Sequence, residues 1–376
     1  MKNSYSIKYP ANIVFGTGSI EQLPDFMPES PRIMIVTGKS AIKTGVAEKI
    51  ISVLKDYKII DATGMSMPEP NLKCIDALIE KGRIENATAV IGLGGGSTID
   101  AAKAAAALIP KEGKTSDYFS GKYKITGKGL FFAALPTTSG TGAEITNNSV
   151  LIDSNLKIKK SLRHPSMIAN VALIDSELTL SAPPSVTVYS GLDALTQAIE
   201  SYVSKKANNY TKAVAQKAVK LLFNNIEQAY KNGSDIMVRE KMAEGSMLSA
   251  MAFSQSGLGA VHAFAHPIGS LKHIPHGKIC AILLPHVIDY NLKNCSEAFT
   301  VLAKACNLNS VDKFLDSIRT LNKKFEIPQN LSGIKFSSDD IDFVVKNSKS
   351  NSFYCNPASF SDEEIRIFLT NLINKL

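Results

Sequence analysis

Short apolar runs alternate with helical patterns up to residue 135, and this alternation limits the possible folds more than any other feature of the sequence. Runs 32–37 (RIMIVT), 89–93 (AVIGL) and 130–135 (LFFAAL) have the length and the β-branched or apolar content of strands buried in a parallel sheet. Segments 72–86 and 98–109 carry apolar residues at helical spacing. Strands joined through helices predict an α/β domain with a parallel, Rossmann-like sheet wound with right-handed crossovers.

Weaker patterns complete this domain. Residues 58–61 and 171–175 are predicted strands, the second of them the last in the sheet, and residues 44–57 are a predicted helix. Residues 5–15 alternate weakly and are predicted to form a short edge strand or hairpin. The polar, glycine-rich segment 136–165 is typical of a loop with a hairpin.

The character of the chain changes at Pro183 and Pro184, because helical patterns dominate from about Ser185 onward. A chain of 376 residues is also too long for one ordinary core. We therefore predict an α/β domain at 1–180 and an all-helical domain at 181–376.

Composition argues against several classes of function. The net charge of +8 comes from lysines spread along the chain, so we expect a solvated basic surface and no nucleic-acid partner. No apolar stretch approaches the roughly 18 residues of a membrane span, and MKNSYSIKYP lacks the apolar run of a signal peptide. The five cysteines are scattered and contain no CxxC pair, so we expect reduced thiols rather than a disulfide framework or a thiolate zinc site. We expect a cytoplasmic protein without a membrane partner.

Two loops that follow predicted strands are suited to phosphate. Glycines at Gly94, Gly95 and Gly96 let the backbone approach a pyrophosphate, and the helix that follows presents free N–H groups and a positive dipole end. The spacing differs from GxGxxG, and a tight glycine turn packed on a sheet explains it too. The second loop, 136–142 (PTTSGTG), offers hydroxyl groups. Because ligands bind at the carboxyl edge of an open parallel sheet, we predict a dinucleotide across both loops.

The residues after the first buried strand bear on the choice of cofactor. NAD enzymes often place an acid near this point to accept from the ribose 2′-hydroxyl, but the chain has Gly38, Lys39 and Ser40. A glycine leaves room for a 2′-phosphate, and Lys39 and Ser40 can bind one. We therefore favour NADP(H) over NAD(H), against the alternative of a simple polar turn.

Five of the six histidines fall between His262 and His286, which is the crowding expected of a chemical site. His262 and His266 are four residues apart, as are Asp193 and Gln197, so each pair shares one helical face. His276 follows a turn. One carboxylate with two or three imidazoles suits a divalent metal such as Fe²⁺ or Zn²⁺.

Several motifs in the same order together resemble the iron-containing (group III) alcohol dehydrogenase family. They are GGGSTIDAAK (94–103), LPTTSGTGAE (135–144), ALIDSELTL (172–180), GLDALTQAIESYVS (191–204) and GLGAVHAFAHPIG…PHG…LLPH (257–286). The resemblance covers nearly the whole chain and implies the dehydroquinate synthase-like architecture. In that family a dinucleotide-binding α/β domain precedes a helical domain, and the metal lies in the cleft between them.

The resemblance also implies a set of metal ligands. The family uses an aspartate, a histidine four residues later and two histidines fourteen apart, which correspond here to Asp193, Gln197, His262 and His276. The departure is Gln197, where metal-binding members carry histidine. An amide oxygen is a neutral, weaker ligand than imidazole for such metals. Gln197 therefore coordinates through oxygen, leaves a more open site or accompanies loss of the metal, and in the first two cases we expect weaker affinity.

Further roles come from the resemblance alone. His266 would relay a proton between the substrate oxygen and solvent, whereas His273 and His286 have no implied role. Gly95, Gly96 and Ser97 would hold the pyrophosphate, Asp100 would lie beside the cofactor, and Lys159 would contact it. The nicotinamide half would be lined by Thr137, Thr138 and Thr141.

The predicted activity is therefore NAD(P)-dependent hydride transfer between an alcohol and an aldehyde or ketone, with a divalent metal acting on the substrate oxygen. We expect a small-molecule alcohol or aldehyde substrate and a homodimer, through the edge strand at 5–15, or a higher homo-oligomer. Two alternatives stay open: a metal-free reductase like the maleylacetate reductases, and a non-catalytic nucleotide-binding relative with a degraded site.

Overall fold

The computed structural model describes residues 4–156 and 158–374 and contains eight strands among them. Six parallel strands form one sheet in the order β1-β8-β5-β4-β2-β3, and β6 and β7 pair as an antiparallel hairpin. The strands are β1 (Asn12–Phe15), β2 (Arg32–Gly38), β3 (Lys58–Ser66), β4 (Ala89–Gly94), β5 (Phe131–Pro136), β6 (Asn148–Asp153), β7 (Ile158–Arg163) and β8 (Val171–Ile174).

Seven helices lie in the first half of the chain. The first six connect or flank the strands, and the seventh opens the helical region. They are α1 (Leu23–Phe26), α2 (Lys39–Lys43), α3 (Val46–Val53), α4 (Leu72–Ile84), α5 (Gly96–Leu108), α6 (Thr115–Ser120) and α7 (Pro184–Val203). The second half is helical. Its helices are α8 (Asn209–Lys231), α9 (Ile236–Ser256), α10 (Ala260–Lys272), α11 (His276–Ala305), α12 (Val311–Lys324), α13 (Ser338–Asn347), α14 (Asn351–Cys355) and α15 (Asp362–Asn374).

The continuous apolar runs form central strands because both faces of the sheet are buried. In β4, Val90 packs in a cluster with Leu78 and Ala105 from α4 and α5. The next residue, Ile91, points into a second cluster with Ile50 of α3. A strand covered on both sides needs apolar residues at consecutive positions, and the run AVIGL supplies them. The predicted α/β domain with a parallel sheet, followed by a helical domain, is confirmed.

Some elements differ in detail from the prediction. Within residues 44–57 the helix is only α3 (Val46–Val53), and Gly45, with φ 73, separates it from α2 (Lys39–Lys43) because a residue in this conformation does not continue a helix. Of residues 5–15, only Asn12–Phe15 forms a strand, at the edge of the sheet beside β8. β8 is the last strand along the chain but lies inside the sheet, between β1 and β5.

The chain divides into two compact units. One contains Lys8–Ala182 and Gly233–Ala243, and the other contains Met1–Ile7, Pro183–Asn232 and Glu244–Leu376. The predicted boundary at 180/181 lies two residues from one of these divisions, but the sequence did not predict that 233–243 would join the α/β unit. Within that unit, Arg239 Nη2 donates to the Ala182 carbonyl at 3.0 Å, and Thr17 Oγ1 donates to Glu240 at 2.7 Å.

None of the helices in the described part of the chain is both long and apolar enough to cross a membrane. All five cysteines are free thiols, as the sequence predicted.

Candidate functional site

The glycine turn, Gly94–Ser97, joins β4 to α5 and leaves almost no room for side chains. Gly94 has φ 157, and a Cβ there would lie 2.7 Å from Thr98. A Cβ on Gly96 would lie 2.5 Å from Thr141 Oγ1. The turn therefore requires glycine at both positions, and it exposes the first N–H groups of α5, which have no partner within the helix. Such a bare helix N-terminus fits a pyrophosphate.

The neighbouring strands bring other predicted cofactor residues to this turn. β2 and β5 flank β4, so all three strands end at the same edge of the sheet. At the end of β2, a Cβ on Gly38 would lie 3.5 Å from Thr98 Oγ1. After β5, the Thr137 N–H donates to the Gly94 carbonyl at 3.0 Å, and Thr138 lies 3.5 Å from the Cβ position of Gly95.

Lys39 and Ser40 begin α2 directly after Gly38, and both are exposed. Lys39 and Ser40, which the sequence predicted to bind a 2′-phosphate, thus follow the end of β2. This strand end lies beside Thr98, the residue next to the glycine turn.

Glu69, which sequence reasoning missed, links Lys159 to the glycine turn. Lys159 Nζ lies 2.6 Å from Glu69 Oε1, and the Glu69 N–H donates to Ser97 Oγ at 3.2 Å. Glu69 has φ 53, a conformation that is unusual for a residue with a side chain. Lys159 therefore comes close to the turn from the β6–β7 hairpin, although hairpin lengths are hard to align from sequence.

Asp100 is buried one turn into α5, where it holds the hairpin. Its Oδ2 accepts from the Val150 N–H at 3.0 Å, and its carbonyl accepts from Ser149 Oγ at 2.8 Å. Burial raises the pKa of Asp100 to about 6, against the opposing charge of Lys103. These contacts show what Asp100 does within the unit, and its predicted place beside the cofactor stays a prediction.

Lys103 is fully buried and was not singled out from the sequence. Its Nζ donates to the carbonyls of Ala143, Thr146 and Asn148 at 2.6, 2.9 and 2.8 Å. Burial lowers the pKa of Lys103 to about 8 and raises that of the buried Glu144 to about 7. This lysine ties α5 to the segment after the second loop, so it fixes the loop against the glycine turn.

Four buried or half-buried donors converge in the helical unit: Asp193 of α7, His262 of α10, and His276 and Cys280 of α11. One donor atom from each lies within 4.8 Å of the others, and we call this group the four-donor cluster. Asp193 Oδ1 lies 3.2 Å from His262 Nε2 and 3.7 Å from His276 Nε2. Three of the four predicted ligands thus meet at one point.

Gly277 explains how α11 reaches this point. A Cβ on Gly277 would lie 1.9 Å from the Tyr189 carbonyl oxygen of α7, a distance that no side chain tolerates. The glycine lets the first turn of α11 lie directly on α7, which carries Asp193 four residues after Tyr189. The sequence PHG therefore supplies both the imidazole of His276 and the close approach of the two helices.

Glu200, also missed from the sequence, orients His262. Its Oε2 lies 2.6 Å from His262 Nδ1, and its Oε1 accepts from the Val261 N–H at 2.7 Å. Because a carboxylate only accepts, Nδ1 carries the proton and Nε2 faces Asp193. A carboxylate behind a histidine is the arrangement that fixes metal-binding imidazoles in proteins.

Gln197 contacts the four-donor cluster through Asp193. Its Nε2 donates to Asp193 Oδ2 at 3.0 Å, and its buried Oε1 has no hydrogen-bond partner among the described residues. The amide thus holds the carboxylate oxygen that faces away from the histidines. A buried carbonyl oxygen without a partner is costly, so it marks a place where a group is missing.

The electrostatics of the cluster favour a cation. Burial opposes ionisation of Asp193, but His276 and His262 outweigh it, and the pKa of Asp193 lies below its usual value. Burial also opposes charge on His262, yet the carboxylates of Glu200 and Asp193 favour it, and its pKa lies well above the usual value. Burial raises the pKa of Cys280 to about 12. The two buried carboxylates thus favour positive charge at this point, and a divalent cation in place of the imidazole proton fits the same surroundings.

The other three histidines between His262 and His286 lie in different surroundings. His266 is exposed, and its ring stacks on that of His276 with centroids 4.9 Å apart and an interplanar angle of 19°. His286 Nε2 lies 2.8 Å from the Gln329 carbonyl, and His273 ends α10 in the left-handed region with φ 52. Only His266 therefore borders the four-donor cluster at the surface of this unit, as a proton relay requires.

Comparison with known proteins gives a consistent result over the whole chain. Residues 10–176 match the family model described as iron-containing alcohol dehydrogenase. Residues 187–373 match the model described as the C-terminal part of the Fe-containing alcohol dehydrogenase family.

Individual relatives agree with these matches. Long-chain-alcohol dehydrogenase 1 of Geobacillus thermodenitrificans is 35% identical over 360 residues, which cover 91% of this chain and 89% of the relative. An NADPH-dependent butanol dehydrogenase of Clostridium saccharobutylicum is 35% identical over 336 residues, covering 86% of this chain and 84% of the relative. Among solved structures, sulfoacetaldehyde reductase from Bifidobacterium kashiwanohense in complex with NAD⁺ superposes with a TM-score of 0.93, at 29% identity and 99% coverage of both chains.

Proposed function

This chain belongs to the iron-containing alcohol dehydrogenase family and is an NAD(P)-dependent oxidoreductase of alcohols and aldehydes, and we propose that it prefers NADP(H) and uses a divalent metal held by Asp193, His262 and His276. The observation that carries the metal assignment is the meeting of these three side chains, with Glu200 behind His262. Reduction of an aldehyde is the expected direction with NADPH.

The bound metal would supply Lewis acidity toward the substrate oxygen. Asp193, His262 and His276 would hold the metal. Gln197 orients Asp193 by a hydrogen bond, and Glu200 orients His262 in the same way. The exposed His266 would pass a proton between the substrate oxygen and solvent. Hydride passes between the nicotinamide and the substrate carbon, as the class of reaction requires.

Cofactor placement follows from the carboxyl edge of the sheet. Gly94, Gly95, Gly96 and Ser97 would bind the pyrophosphate with backbone N–H groups, and Thr137, Thr138 and Thr141 would line the nicotinamide half. Asp100 and Lys159 are assigned by the family resemblance, with Lys159 brought near Ser97 through Glu69.

Preference for NADP(H) is supported by Gly38, Lys39 and Ser40 at the end of β2. Lys39 supplies a cation and Ser40 a hydroxyl at an exposed helix start, where a 2′-phosphate would stay accessible. We expect a higher kcat/KM with NADPH than with NADH, and we expect Lys39→Ala to lower the NADPH value by roughly tenfold while changing the NADH value little. Equal losses with both cofactors would contradict this assignment.

We also propose a homodimer, or a higher homo-oligomer, formed through β1. Asn12–Phe15 is an edge strand of the sheet, and edge strands present backbone groups that a second copy can pair with. Light scattering of the wild type and of Ile13→Pro tests this, because proline removes a backbone donor. A proline variant with unchanged mass and fold would contradict pairing at this edge.

The activity test is the oxidation of NADPH in the presence of a panel of aldehydes, with and without added metal. Turnover that is lost on exhaustive chelation and restored by Fe²⁺ or Zn²⁺ supports the proposed metal. Turnover that survives chelation would favour a metal-free reductase. Absence of turnover with every aldehyde and alcohol in the panel, with either cofactor, would contradict the assigned chemistry.

A further inference from the structure

We infer that Cys280 is the fourth protein ligand of the metal, in place of the histidine that Gln197 replaces, and that the site therefore prefers Zn²⁺ to Fe²⁺. This inference rests on the proposed metal site at Asp193, His262 and His276. It assigns a ligand that neither histidine spacing nor the motifs indicated.

The first support is distance. Cys280 Sγ lies 3.7 Å from His276 Nε2 and 4.0 Å from His262 Nε2. Zinc–sulfur, zinc–nitrogen and zinc–oxygen bonds of about 2.3, 2.0–2.1 and 2.0–2.2 Å in a tetrahedron imply donor separations of about 3.4–3.6 Å. Four of the six donor separations, at 3.2, 3.7, 3.7 and 4.0 Å, lie close to these values, and all six lie within 4.8 Å, so the widest needs to shorten by at most about 1.2 Å to bind one ion.

The second support is the helix register. His276 and Cys280 are four residues apart on α11, so they lie on one face of the helix. Gly277 presses this turn against Tyr189 of α7, which brings the same face toward Asp193. The register that delivers His276 to the site thus delivers Cys280 as well.

The third support is what Gln197 does instead. Its Nε2 is used as a donor to Asp193 Oδ2, and an amide nitrogen is not a metal ligand. Exchanging the two amide atoms would set Oε1 against the Asp193 carboxylate, which is repulsive. Gln197 therefore positions Asp193 through Nε2 and could reach the metal only through Oε1, which is a neutral and weaker donor than a thiolate, so we assign the strong fourth ligand to Cys280.

A buried cysteine commonly acts as a small apolar group, but Cys280 has a different setting. It is 0% exposed, yet its sulfur contacts the ring nitrogens of two histidines rather than apolar atoms alone. On metal binding the thiol would release its proton to solvent and coordinate as thiolate.

The ligand change has two chemical consequences. One carboxylate and one thiolate balance the charge of a divalent ion, whereas an aspartate with three histidines leaves one positive charge. Thiolate and imidazole ligands favour Zn²⁺, so we expect zinc to outcompete Fe²⁺ at equal concentration. The substrate oxygen would then bind as a fifth ligand, as zinc sites that expand to five-coordinate allow.

Cobalt substitution tests the sulfur ligand directly. The full chain is stripped of metal, reloaded with Co²⁺ without oxygen, and examined for sulfur-to-cobalt charge transfer in the near ultraviolet, with bound metal counted in parallel. We expect one Co²⁺ per chain and a charge-transfer band in the wild type. Cys280→Ser should abolish the band and weaken metal binding by roughly 100-fold or more, because even partners behind the ligands contribute 10–100-fold. Cys306→Ser, at another buried free thiol, is the matched control and should keep the band.

Each outcome separates the inference from the function on which it rests. One bound Co²⁺ without a charge-transfer band in the wild type would overturn Cys280 as a ligand and leave the proposed metal site intact. A band retained in a folded Cys280→Ser variant would overturn the assignment equally. No bound metal in the wild type would overturn both the inference and the proposed metal site. Competition between Zn²⁺ and Fe²⁺ that favours Fe²⁺ would contradict the predicted selectivity.

Discussion

The glycine turn after β4 and the four-donor cluster of the helical unit represent two ways of building a site. At the turn, Gly94 and Gly96 are required because a Cβ would collide with Thr98 or Thr141, so the site consists of exposed backbone. At the cluster, side chains from α7, α10 and α11 meet in the interior, and each needs a partner. A backbone site can be damaged by adding atoms, whereas a side-chain site is damaged by removing them.

The largest effect is expected from removing a donor. His262→Ala deletes a buried imidazole at the centre of the cluster. The transition state should lose several kcal/mol of stabilisation, which lowers kcat/KM by about 10³-fold or more. Metal content should fall while cofactor fluorescence stays as in the wild type. His286→Ala, at a histidine whose Nε2 lies 2.8 Å from the Gln329 carbonyl, is the control. Loss of cofactor binding in His262→Ala would mean that the two sites depend on each other.

The opposite change tests the turn. Gly96→Val places atoms where a Cβ alone would lie 2.5 Å from Thr141 Oγ1, and relieving such overpacking costs about 1–3 kcal/mol. We expect NADPH to bind roughly 10–100-fold more weakly, with metal content unchanged. Gly333→Val, at a glycine with open space around its Cβ position, is the matched control. Wild-type affinity for NADPH in a folded Gly96→Val protein would contradict a pyrophosphate at this turn.

A third change affects neither a ligand nor the backbone. Glu200→Gln keeps the shape of the side chain but removes the charge 2.6 Å from His262 Nδ1. Partners of this kind contribute about 10–100-fold to metal affinity, so the metal dissociation constant should rise by that factor. Glu227→Gln, in a surface ion pair, should leave the constant unchanged. If Glu200→Gln binds metal as tightly as the wild type, the carboxylate has only a packing role.

The smallest effect concerns stability and pH. Burial raises the pKa of Glu144 from 4.5 to about 7, so the folded protein binds this proton more tightly than the unfolded chain does. The resulting stabilisation is fully present below about pH 4.5 and is lost as the pH rises through about 7, by up to about 3 kcal/mol. The thermal midpoint of the wild type should therefore fall relative to that of Glu144→Gln as the pH rises from 5 to 8. Glu80→Gln, at an exposed position of α4, should give a flat difference.

The contrast between the two regions also explains what the sequence could reveal. The glycine turn is local, so four consecutive residues after an apolar strand were enough to predict it. Asp193, His262 and His276 were predicted from their spacing and from the family resemblance, and the structure brings them together. The start of α5 at Gly96, two residues before its predicted start, follows from the same turn.

The residues missed from the sequence are partners that come from distant parts of the chain. Glu200 contacts His262 across 62 positions, and Lys103 contacts Ala143 across 40. No local pattern encodes such pairs, since only packing places a charged side chain beside its acceptors. Cys280 was different, because its position one turn after His276 was visible. The lack of a CxxC pair argued against a thiolate metal site, so the sequence alone provided no reason to connect Cys280 with His276.

Gly233–Ala243 belongs to the same unit as the sheet, although 50 residues of the other unit precede it along the chain. A truncated protein ending at Ala182 would therefore lack the guanidinium of Arg239 and the carboxylate of Glu240, and the hydrogen bonds that these groups make with the Ala182 carbonyl and the Thr17 hydroxyl would be lost. Expression of the cofactor-binding half by itself should thus yield a less soluble product than a fragment to which residues 233–243 are rejoined through a short linker.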